Sequence, residues 1–152
     1  RFCFEAFLPS DKKEKADVLE QLKAEQRTII IYEAPHRLLR TLTELESALG
    51  GMRKIAVCKE LTKRHETVYR DTISGALGYY TANEPKGEYV LVIEGRSPKE
   101  LLEEKRAAWD DMSIEEHFNM YVSRGMDKKD AMKLVAKDRG VSKRDIYNAL
   151  LD

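Results

Sequence analysis

Apolar residues along the first two thirds of the chain form short runs that predict strands. Residues 28–32 and 88–95 are apolar almost without interruption, and we expect both strands to be buried on two faces of a sheet. Residues 2–7 and 54–58 form two further runs rich in β-branched and aromatic side chains. Residues 65–71 are more polar but keep the alternation of a strand. The pattern therefore predicts five strands.

Helical spacing of apolar residues separates these strands. Residues 11–25 carry apolar side chains on one face, and Asp11 at their start is typical of an N-cap. A second helix is predicted from Pro35, which suits a first helical turn, to a stop at Gly50. Residues 74–81 predict a third helix. Helices that alternate with strands indicate the α/β class, here a mixed sheet flanked by helices.

The pattern changes after Gly95, where the strands end. A charged stretch predicts a helical linker over residues 97–112, and residues 113–152 predict three short helices. We therefore expect an α/β domain over residues 1–96, followed by a small helical module that resembles a helix-turn-helix.

Composition narrows the possible functions. The chain is 42% hydrophobic and 36% charged, and its 27 basic residues are balanced by 27 acidic ones. This balance argues against a general polyanion binder, so any contact with nucleic acid has to come from local basic patches. Cys3 and Cys58 are isolated, which favours a reducing cytoplasm. No apolar run is long enough to span a bilayer, so we expect a soluble protein without a membrane partner.

The strand-to-helix turn at residues 32–37 is the first candidate site. Pro35 pushes Ala34 away from helical dihedrals, so the chain turns sharply at the end of a buried strand, where open α/β sheets bind ligands. The free amides of the helix start, together with Arg37, favour an anionic or electron-rich ligand. The alternative is a structural helix start at which Glu33 and Arg37 only pair with each other.

Two other segments could contribute to a site. Residues 59–66 place many charges after a strand, where they could donate to phosphate or ribose, with His65 as an acid or base; a solvated loop is the alternative. Residues 86–88 place a glycine before a strand, which permits a close backbone approach, although a tight turn explains it nearly as well. No histidine or cysteine spacing suits a metal, and no phosphate loop or nucleophile elbow occurs, so neither a metal centre nor a covalent hydrolase is favoured.

Four motifs occur in order along the chain. They are Phe-Glu-Ala-Phe-Leu-Pro at 4–9, Arg-Thr-Ile-Ile-Ile-Tyr-Glu-Ala-Pro-His-Arg at 27–37, Glu-Leu-Thr-Lys at 60–63 and Lys-Gly-Glu at 86–88. Together they resemble the carboxyl half of the ribosomal RNA small subunit methyltransferase I family, within the tetrapyrrole methylase superfamily. The resemblance covers about residues 2–95, and the helical tail is also similar to the segment that comes after this domain in family members.

The resemblance implies a fold, a reaction and partners. Family members transfer a methyl group from S-adenosylmethionine to the ribose 2′-hydroxyl of a cytidine in small-subunit (16S) ribosomal RNA, so the expected partner is that RNA or the small ribosomal subunit. Two α/β domains face each other with the cofactor between them, and members are similar in forming homodimers. Because the chain opens at Arg1 without an initiator methionine, we expect it to be the second domain, inactive without the first.

Site residues are implied by the positions that match the family's motifs. On the cofactor side, the resemblance implies contacts from Leu8, Pro9, Tyr32, Glu33, Glu88, Tyr89 and Val90. The substrate side is expected to include His36, Arg37 and Lys63. Methylation of a hydroxyl also requires removal of a proton, and the base stays open among Lys63, His65 and Glu66.

The chain departs from the family pattern at two positions. Ala6 stands where the family usually has glycine, and Asp71 stands where a glycine usually follows Arg70. The first adds a methyl group near a cofactor-facing turn. The second is expected to change a tight turn.

The helical tail carries a local excess of positive charge. Residues 127–144 hold seven lysines or arginines against three aspartates, and Lys143 and Arg144 start the last predicted helix. Such a module could bind the RNA backbone through salt-sensitive contacts. The alternative is a helical cap that only buries Ile146 and Leu150.

Two other functions compete with RNA methylation. One is half of a methylase that acts on a tetrapyrrole precursor, against which the motif at residues 32–37 and the basic tail both weigh. The other is a non-catalytic nucleic-acid-binding module in which the α/β part is only a scaffold.

Overall fold

The computed structural model describes residues 1–151, which form five strands and seven helices. The strands are β1 (Phe2–Phe7), β2 (Thr28–Glu33), β3 (Lys54–Lys59), β4 (Thr67–Thr72) and β5 (Tyr89–Ile93). The helices are α1 (Lys12–Leu22), α2 (Pro35–Leu49), α3 (Ile73–Ala82), α4 (Pro98–Ala107), α5 (Ile114–Ser123), α6 (Lys128–Arg139) and α7 (Lys143–Ala149). They divide into two compact units, Arg1–Ser97 and the residues from Pro98 onward.

All five strands belong to one mixed sheet with the order β1-β2-β5-β3-β4. Strands β1 and β2 are parallel, whereas β5 runs antiparallel to both β2 and β3, and β4 runs antiparallel to β3. This architecture confirms the predicted fold class, a mixed sheet flanked by helices with a small carboxyl-terminal helical module. Within residues 1–151, no helix has the length and apolar character that crossing a membrane requires.

The prediction that β2 and β5 are buried on both faces is wrong. Along β2, Ile29 and Ile31 are fully buried, whereas Ile30 is half-buried and Tyr32 is 42% exposed. The same alternation runs along β5. Since successive side chains of a strand point to opposite faces, one face of the sheet packs against the core that α1, α2 and α3 share with it, whereas the described side chains of β2 and β5 on the other face stay partly exposed. An uninterrupted apolar run does not distinguish a strand that is buried on one face from a strand that is buried on both.

Helix starts in the first unit depend on capping residues. The Asp11 carboxylate accepts hydrogen bonds from the amides of Lys13 and Glu14, and Pro35 occupies the first turn of α2, as predicted. The Thr72 hydroxyl caps α3 by accepting from the amide of Gly75, a cap that the sequence pattern did not reveal.

The two departures from the family pattern have different structural outcomes. Ala6 has a φ of 52°, in the left-handed region, at the point where the pairing of β1 with β2 shifts register. Glycine adopts this conformation more readily than alanine does. Asp71 does not occupy a tight turn, so that expectation is wrong: it lies within β4, and its carboxylate accepts from the Tyr69 hydroxyl and the Thr72 amide.

The second unit packs α5, α6 and α7 around a small core. Val135, Ala136 and Ile146 are buried there, with Phe118 and Leu150 among the partly buried side chains packed against them. Capping boxes start α5 and α7 at their N-terminal serines, and a left-handed glycine ends α6. Helices α6 and α7 contact each other across the short turn at residues 140–142.

Candidate functional site

One edge of the sheet gathers residues from distant parts of the sequence. The strand directions bring the carboxyl ends of β1, β2 and β3 to the same edge as the amino end of β5. A cavity of about 710 Å³ lies at this edge, and we refer to it as the edge cavity. Its lining residues are Phe7, Tyr32, Glu33, Ala34, Pro35, His36, Leu61, Thr62, Lys63, Glu88, Tyr89 and Val90.

Each of the four sequence motifs contributes to this lining, and most of the predicted site residues of the first unit meet there. Those in the lining are Tyr32, Glu33, His36, Lys63, Glu88, Tyr89 and Val90. The lining does not include Leu8, Pro9, Arg37, His65 or Glu66. Sequence reasoning did not single out Phe7, although it lies inside the first motif. The feature that could have identified Phe7 is its position at the carboxyl end of a strand, where α/β sheets bind ligands.

Glu33 lies behind the cavity surface. Its residue exposure is only 2%, and its carboxylate accepts hydrogen bonds from the Ala34 amide at 2.8 Å and from the Thr41 hydroxyl at 2.5 Å. The Arg37 Nε atom lies 3.3 Å from Glu33 Oε1. The pairing of Glu33 with Arg37, the structural alternative for this turn, is therefore present. Any contact that Glu33 makes with a ligand has to come from its backbone.

Arg37 also reaches the end of the first strand. Its Nη2 atom donates to the carbonyl oxygen of Leu8 at 2.9 Å. Leu8 itself is 1% exposed and belongs to the core shared by the sheet and its helices. Leu8 and Arg37 thus support the cavity from outside its lining.

A network of charged groups connects the loop after β3 to the start of β5. The Lys63 Nζ atom lies 2.6 Å from a Glu88 carboxylate oxygen and 3.1 Å from Glu60 Oε1. Backbone bonds reinforce the link, since the Glu60 amide donates to the Glu88 carbonyl and the Glu88 amide donates to Glu60 Oε1, each at 2.8 Å. The hydrogen bonds that Lys63 donates to the Glu88 and Glu60 carboxylates raise its pKa above the ordinary value. The Lys63 side chain in the cavity wall is therefore a protonated ammonium group.

His65 and Glu66 lie on the same loop but are not among the residues that line the cavity. Both residues are exposed. The Glu66 carboxylate accepts from the amide of Thr62 at 2.7 Å. Thr62 has a left-handed φ of 66° and does line the cavity, so Glu66 holds a wall residue in an uncommon conformation.

Aromatic rings form much of the apolar wall. The Tyr32 ring contacts the rings of Phe4 and Phe7 edge to face, at centroid distances of 4.9 Å and 5.9 Å. Tyr89 is only 2% exposed, and its hydroxyl accepts from the Lys86 amide at 3.0 Å. Burial raises the pKa of the Tyr89 phenol, which therefore stays neutral.

The edge cavity combines an aromatic and apolar surface with a few polar groups at its border. His36, Lys63 and Glu88 are exposed there, whereas Pro35 and Val90 are half-buried parts of the wall. Pockets of this size, lined by apolar and aromatic side chains with a few polar groups, are typical of binding sites for small organic ligands. Within the part of the chain that the structure describes, no group of three or more histidine, cysteine, aspartate or glutamate side chains is placed to hold a metal ion.

The predicted RNA-binding residues of the tail are exposed. Lys143 and Arg144 occupy the first turn of α7, directly after the Ser142 cap. Arg139 is engaged within its own unit, because it donates to His117 Nδ1 at 3.2 Å and to the backbone carbonyls before α5. The exposed cations of α7 are therefore a different set from the structural arginine of α6.

Curated relatives align with nearly the whole chain. Proteins named ribosomal RNA small subunit methyltransferase I are 45% identical over 97% of this chain in Bacillus subtilis, 38% over 100% in Synechocystis and 41% over 97% in Halalkalibacterium halodurans. These alignments cover 50%, 53% and 50% of the respective relatives. The chain therefore spans about half the length of the curated relatives that it matches.

Two further comparisons concern the family and the fold. The solved structure of a cobalamin biosynthetic enzyme, cobalt precorrin-4 methyltransferase, aligns at a TM-score of 0.45 and 17% identity over 60% of this chain and 39% of that chain. The sequence profile of the family described as Tetrapyrrole (Corrin/Porphyrin) Methylases matches residues 1–76, the part that contains β1 to β4 and three of the four segments that line the edge cavity. The chain belongs to the tetrapyrrole (corrin/porphyrin) methylase family.

Proposed function

We propose that this chain is one half of an S-adenosylmethionine-dependent methyltransferase of small-subunit ribosomal RNA, and that the edge cavity is one wall of its methyl-donor site. The observation that carries the proposal is the convergence of four separate sequence motifs on one cavity at one edge of the sheet. Relatives named for this activity at 38% to 45% identity support the substrate class. Their length, about twice that of this chain, supports a site that a second domain completes.

The cavity fits an adenosine-bearing cofactor. Its volume of about 710 Å³ is within the usual range of ligand pockets, and its aromatic and apolar lining suits a purine ring. Tyr32, Val90 and the backbone of Tyr89 would contact the adenosine, and the exposed Glu88 carboxylate could accept from ribose hydroxyls. Leu8, Pro9 and Glu33 would hold this wall from behind. When bound, S-adenosylmethionine supplies the activated methyl group.

The substrate would approach along the cavity border. We assign His36 and Lys63 to this side, with the 2′-hydroxyl of a cytidine as the methyl acceptor. Arg37, which pairs with Glu33 and donates to the Leu8 carbonyl, supports the wall instead. Transfer requires the acceptor oxygen to lie in line with the methyl group and to lose a proton. Because its two carboxylate partners keep Lys63 protonated, His65 and Glu66 are the stronger base candidates on this loop.

The remaining parts of the proposal concern assembly and location. A cytoplasmic homodimer that acts on ribosomal RNA or on the small ribosomal subunit agrees with the family to which the relatives belong. The tail would add affinity for RNA through Lys143 and Arg144, which are exposed at the start of α7.

Methyl transfer by the full-length protein containing this chain tests the proposal. The substrate is small ribosomal subunits that lack the modification, and the modified nucleotide is mapped afterwards. We expect one methyl group on a cytidine ribose of the small-subunit RNA. Transfer to a tetrapyrrole precursor instead would support the other methylase function, and RNA binding without any transfer would support a non-catalytic module.

The chain by itself provides a second test. We expect calorimetry to detect binding of S-adenosylmethionine by the full-length protein and weak or no binding by residues 1–152 alone, because one wall exposes a ligand to water. Tight binding by the isolated chain would contradict the shared site.

A further inference from the structure

Glu33 carries a buried carboxyl group with three defined partners. Its side chain has no exposed surface; it accepts hydrogen bonds from the Ala34 amide and the Thr41 hydroxyl and forms an ion pair with Arg37 at 3.3 Å. Removing a carboxylate from water costs several kcal/mol, and well-packed apolar residues often stabilise a protein as well as or better than a buried ion pair. Stability alone is therefore a weak reason for an ion pair at this position.

Arg37 connects Glu33 to another segment of the chain. Through Nε it contacts the Glu33 carboxylate at 3.3 Å, and through Nη2 it donates to the Leu8 carbonyl at 2.9 Å. Leu8 directly follows β1 and Glu33 ends β2. The neighbours of these two residues, Phe7 and Tyr32, both line the edge cavity, and their rings contact each other.

We propose that Glu33, Thr41 and Arg37 are positioning residues that fix the ends of β1 and β2 relative to each other, and thereby the shape of the cavity wall that receives the methyl donor. Thr41 anchors the carboxylate from α2, and the planar guanidinium spans the gap to Leu8. The inference depends on the proposed function only for the identity of the ligand. The connection between the ends of β1 and β2 through Arg37 is a property of this chain, whichever ligand binds.

A matched control exists in the same unit. Lys15 is 5% exposed and forms an ion pair with Glu44 at 2.8 Å, which joins α1 to α2. Neither residue lines the edge cavity. Lys15→Met therefore disrupts a comparably buried ion pair and leaves Glu33, Thr41 and Arg37 unchanged. Arg37→Lys is the informative variant, because a lysine keeps the charge but cannot reach both Glu33 and Leu8.

Amide hydrogen exchange on this chain tests the link without any ligand. In Arg37→Lys, the amides of Phe7, Leu8 and Ser10 and those of residues 32–34 are expected to exchange at least about tenfold faster, relative to the core amides of Ile29 and Leu91. Thr41→Val should show a smaller effect in the same segments. In Lys15→Met, any increase in exchange rate should be the same in these segments and in the core, so that the ratio of their rates keeps its wild-type value. An unchanged ratio of rates in Arg37→Lys would overturn the inference.

Kinetics of the full-length protein test the consequence for the site. Arg37→Lys is expected to raise KM for S-adenosylmethionine about tenfold with kcat nearly unchanged, because the change affects donor binding and not the reacting atoms. Lys15→Met should leave both constants at their wild-type values. Equal kinetics in wild type and Arg37→Lys would refute the positioning role. A wild-type protein that transfers no methyl group would instead refute the proposed function, with the exchange result still deciding on the link.

Discussion

The Lys63 ammonium nitrogen lies 2.6 Å from a Glu88 carboxylate oxygen, and this contact joins the loop after β3 to the start of β5 at the edge cavity. Glu60 provides a second carboxylate at 3.1 Å. Both contacts raise the pKa of Lys63, so its amine stays protonated well above neutral pH. An ammonium group has no lone pair with which to accept a proton. Lys63 is therefore better suited to holding the loop than to acting as a base.

We predict that Lys63→Arg in the full-length protein retains kcat within about threefold between about pH 6 and pH 9, because arginine keeps the positive charge and both carboxylate partners, whereas loss of a general base typically costs 10²-fold to 10⁴-fold. Methyl-transfer rates at saturating donor and RNA measure this. Lys63→Met serves as the comparison. It should mainly raise the KM for the RNA substrate, because the loop loses its ion pairs with Glu60 and Glu88. A loss of 10²-fold or more in Lys63→Arg would restore Lys63 as the base candidate.

Ala6 adopts a left-handed conformation at an exposed position. We predict that Ala6→Gly stabilises the first unit by about 0.5–1 kcal/mol, because the strain of an L-residue at positive φ exceeds the extra entropy that glycine loses on folding. Urea unfolding measures the change. The control is Ala56→Gly within β3, where the backbone is extended and glycine should cost about 0.5–1 kcal/mol. Equal destabilisation by both substitutions would disprove the prediction.

How far the sequence predicts the fold depends on how local each interaction is. The strands and helix starts depend on neighbouring residues, so β-branched runs and the Asp11 cap locate them well. The covered face of the sheet depends on where the helices pack, and for that reason a fully apolar run such as that of β2 led to the wrong burial prediction. The positive φ at Ala6 depends on a register shift against β2, which no local pattern reveals.

The candidate site also combines features that the local sequence predicts with features that depend on distant parts of the chain. That the carboxyl ends of β1, β2 and β3 would carry ligand-binding turns is expected from a general property of α/β sheets. The contribution of Glu88 requires β5 to run antiparallel beside β2, which its sequence does not encode locally. The contact between Arg37 and the Leu8 carbonyl joins residues 29 positions apart, so the supporting role of Arg37 emerges only from the folded arrangement.

His117 is a buried ionisable group in the helical unit. Its exposure is 0%, and its ring stacks on Trp109 with centroids 3.9 Å apart. Burial and the nearby Arg139 lower the pKa of His117, while Asp138 opposes this shift. Tyr121 also faces the ring and donates its hydroxyl to Asp138 at 2.6 Å. The neutral imidazole is therefore the form that this packing favours.

We predict that the helical unit loses stability as the pH falls below about 6.5, the ordinary pKa of histidine, because the unfolded chain then binds a proton that folded His117 resists. The loss should stop once the pH reaches the lowered pKa of the folded state, and its slope cannot exceed about 1.4 kcal/mol per pH unit. Denaturant unfolding followed by fluorescence of Trp109, the single tryptophan, measures it. In His117→Phe the slope over this range should disappear, and an unchanged slope would assign it to other groups.

Lys143 and Arg144 form an exposed pair of cations at the start of α7. Residues 127–144 carry a local net charge of +4 in a chain whose formal net charge is zero. A basic surface that neutralises RNA phosphates releases counterions, so its contribution appears as a dependence of affinity on salt concentration. A helical cap without RNA contacts has no such signature.

We predict that Lys143→Ala combined with Arg144→Ala in the full-length protein weakens binding to small-subunit RNA and reduces the slope of log K against log salt by about 1.4–1.8, the value for two lost phosphate contacts. Affinity for S-adenosylmethionine should not change. The matched control, Lys12→Ala with Lys13→Ala, removes two exposed cations from α1 of the first unit, and its slope should stay at the wild-type value. Measurements of RNA binding at several salt concentrations distinguish the outcomes. If both double variants keep the wild-type slope, the tail does not contact RNA, and its helices act only as a structural cap around Ile146.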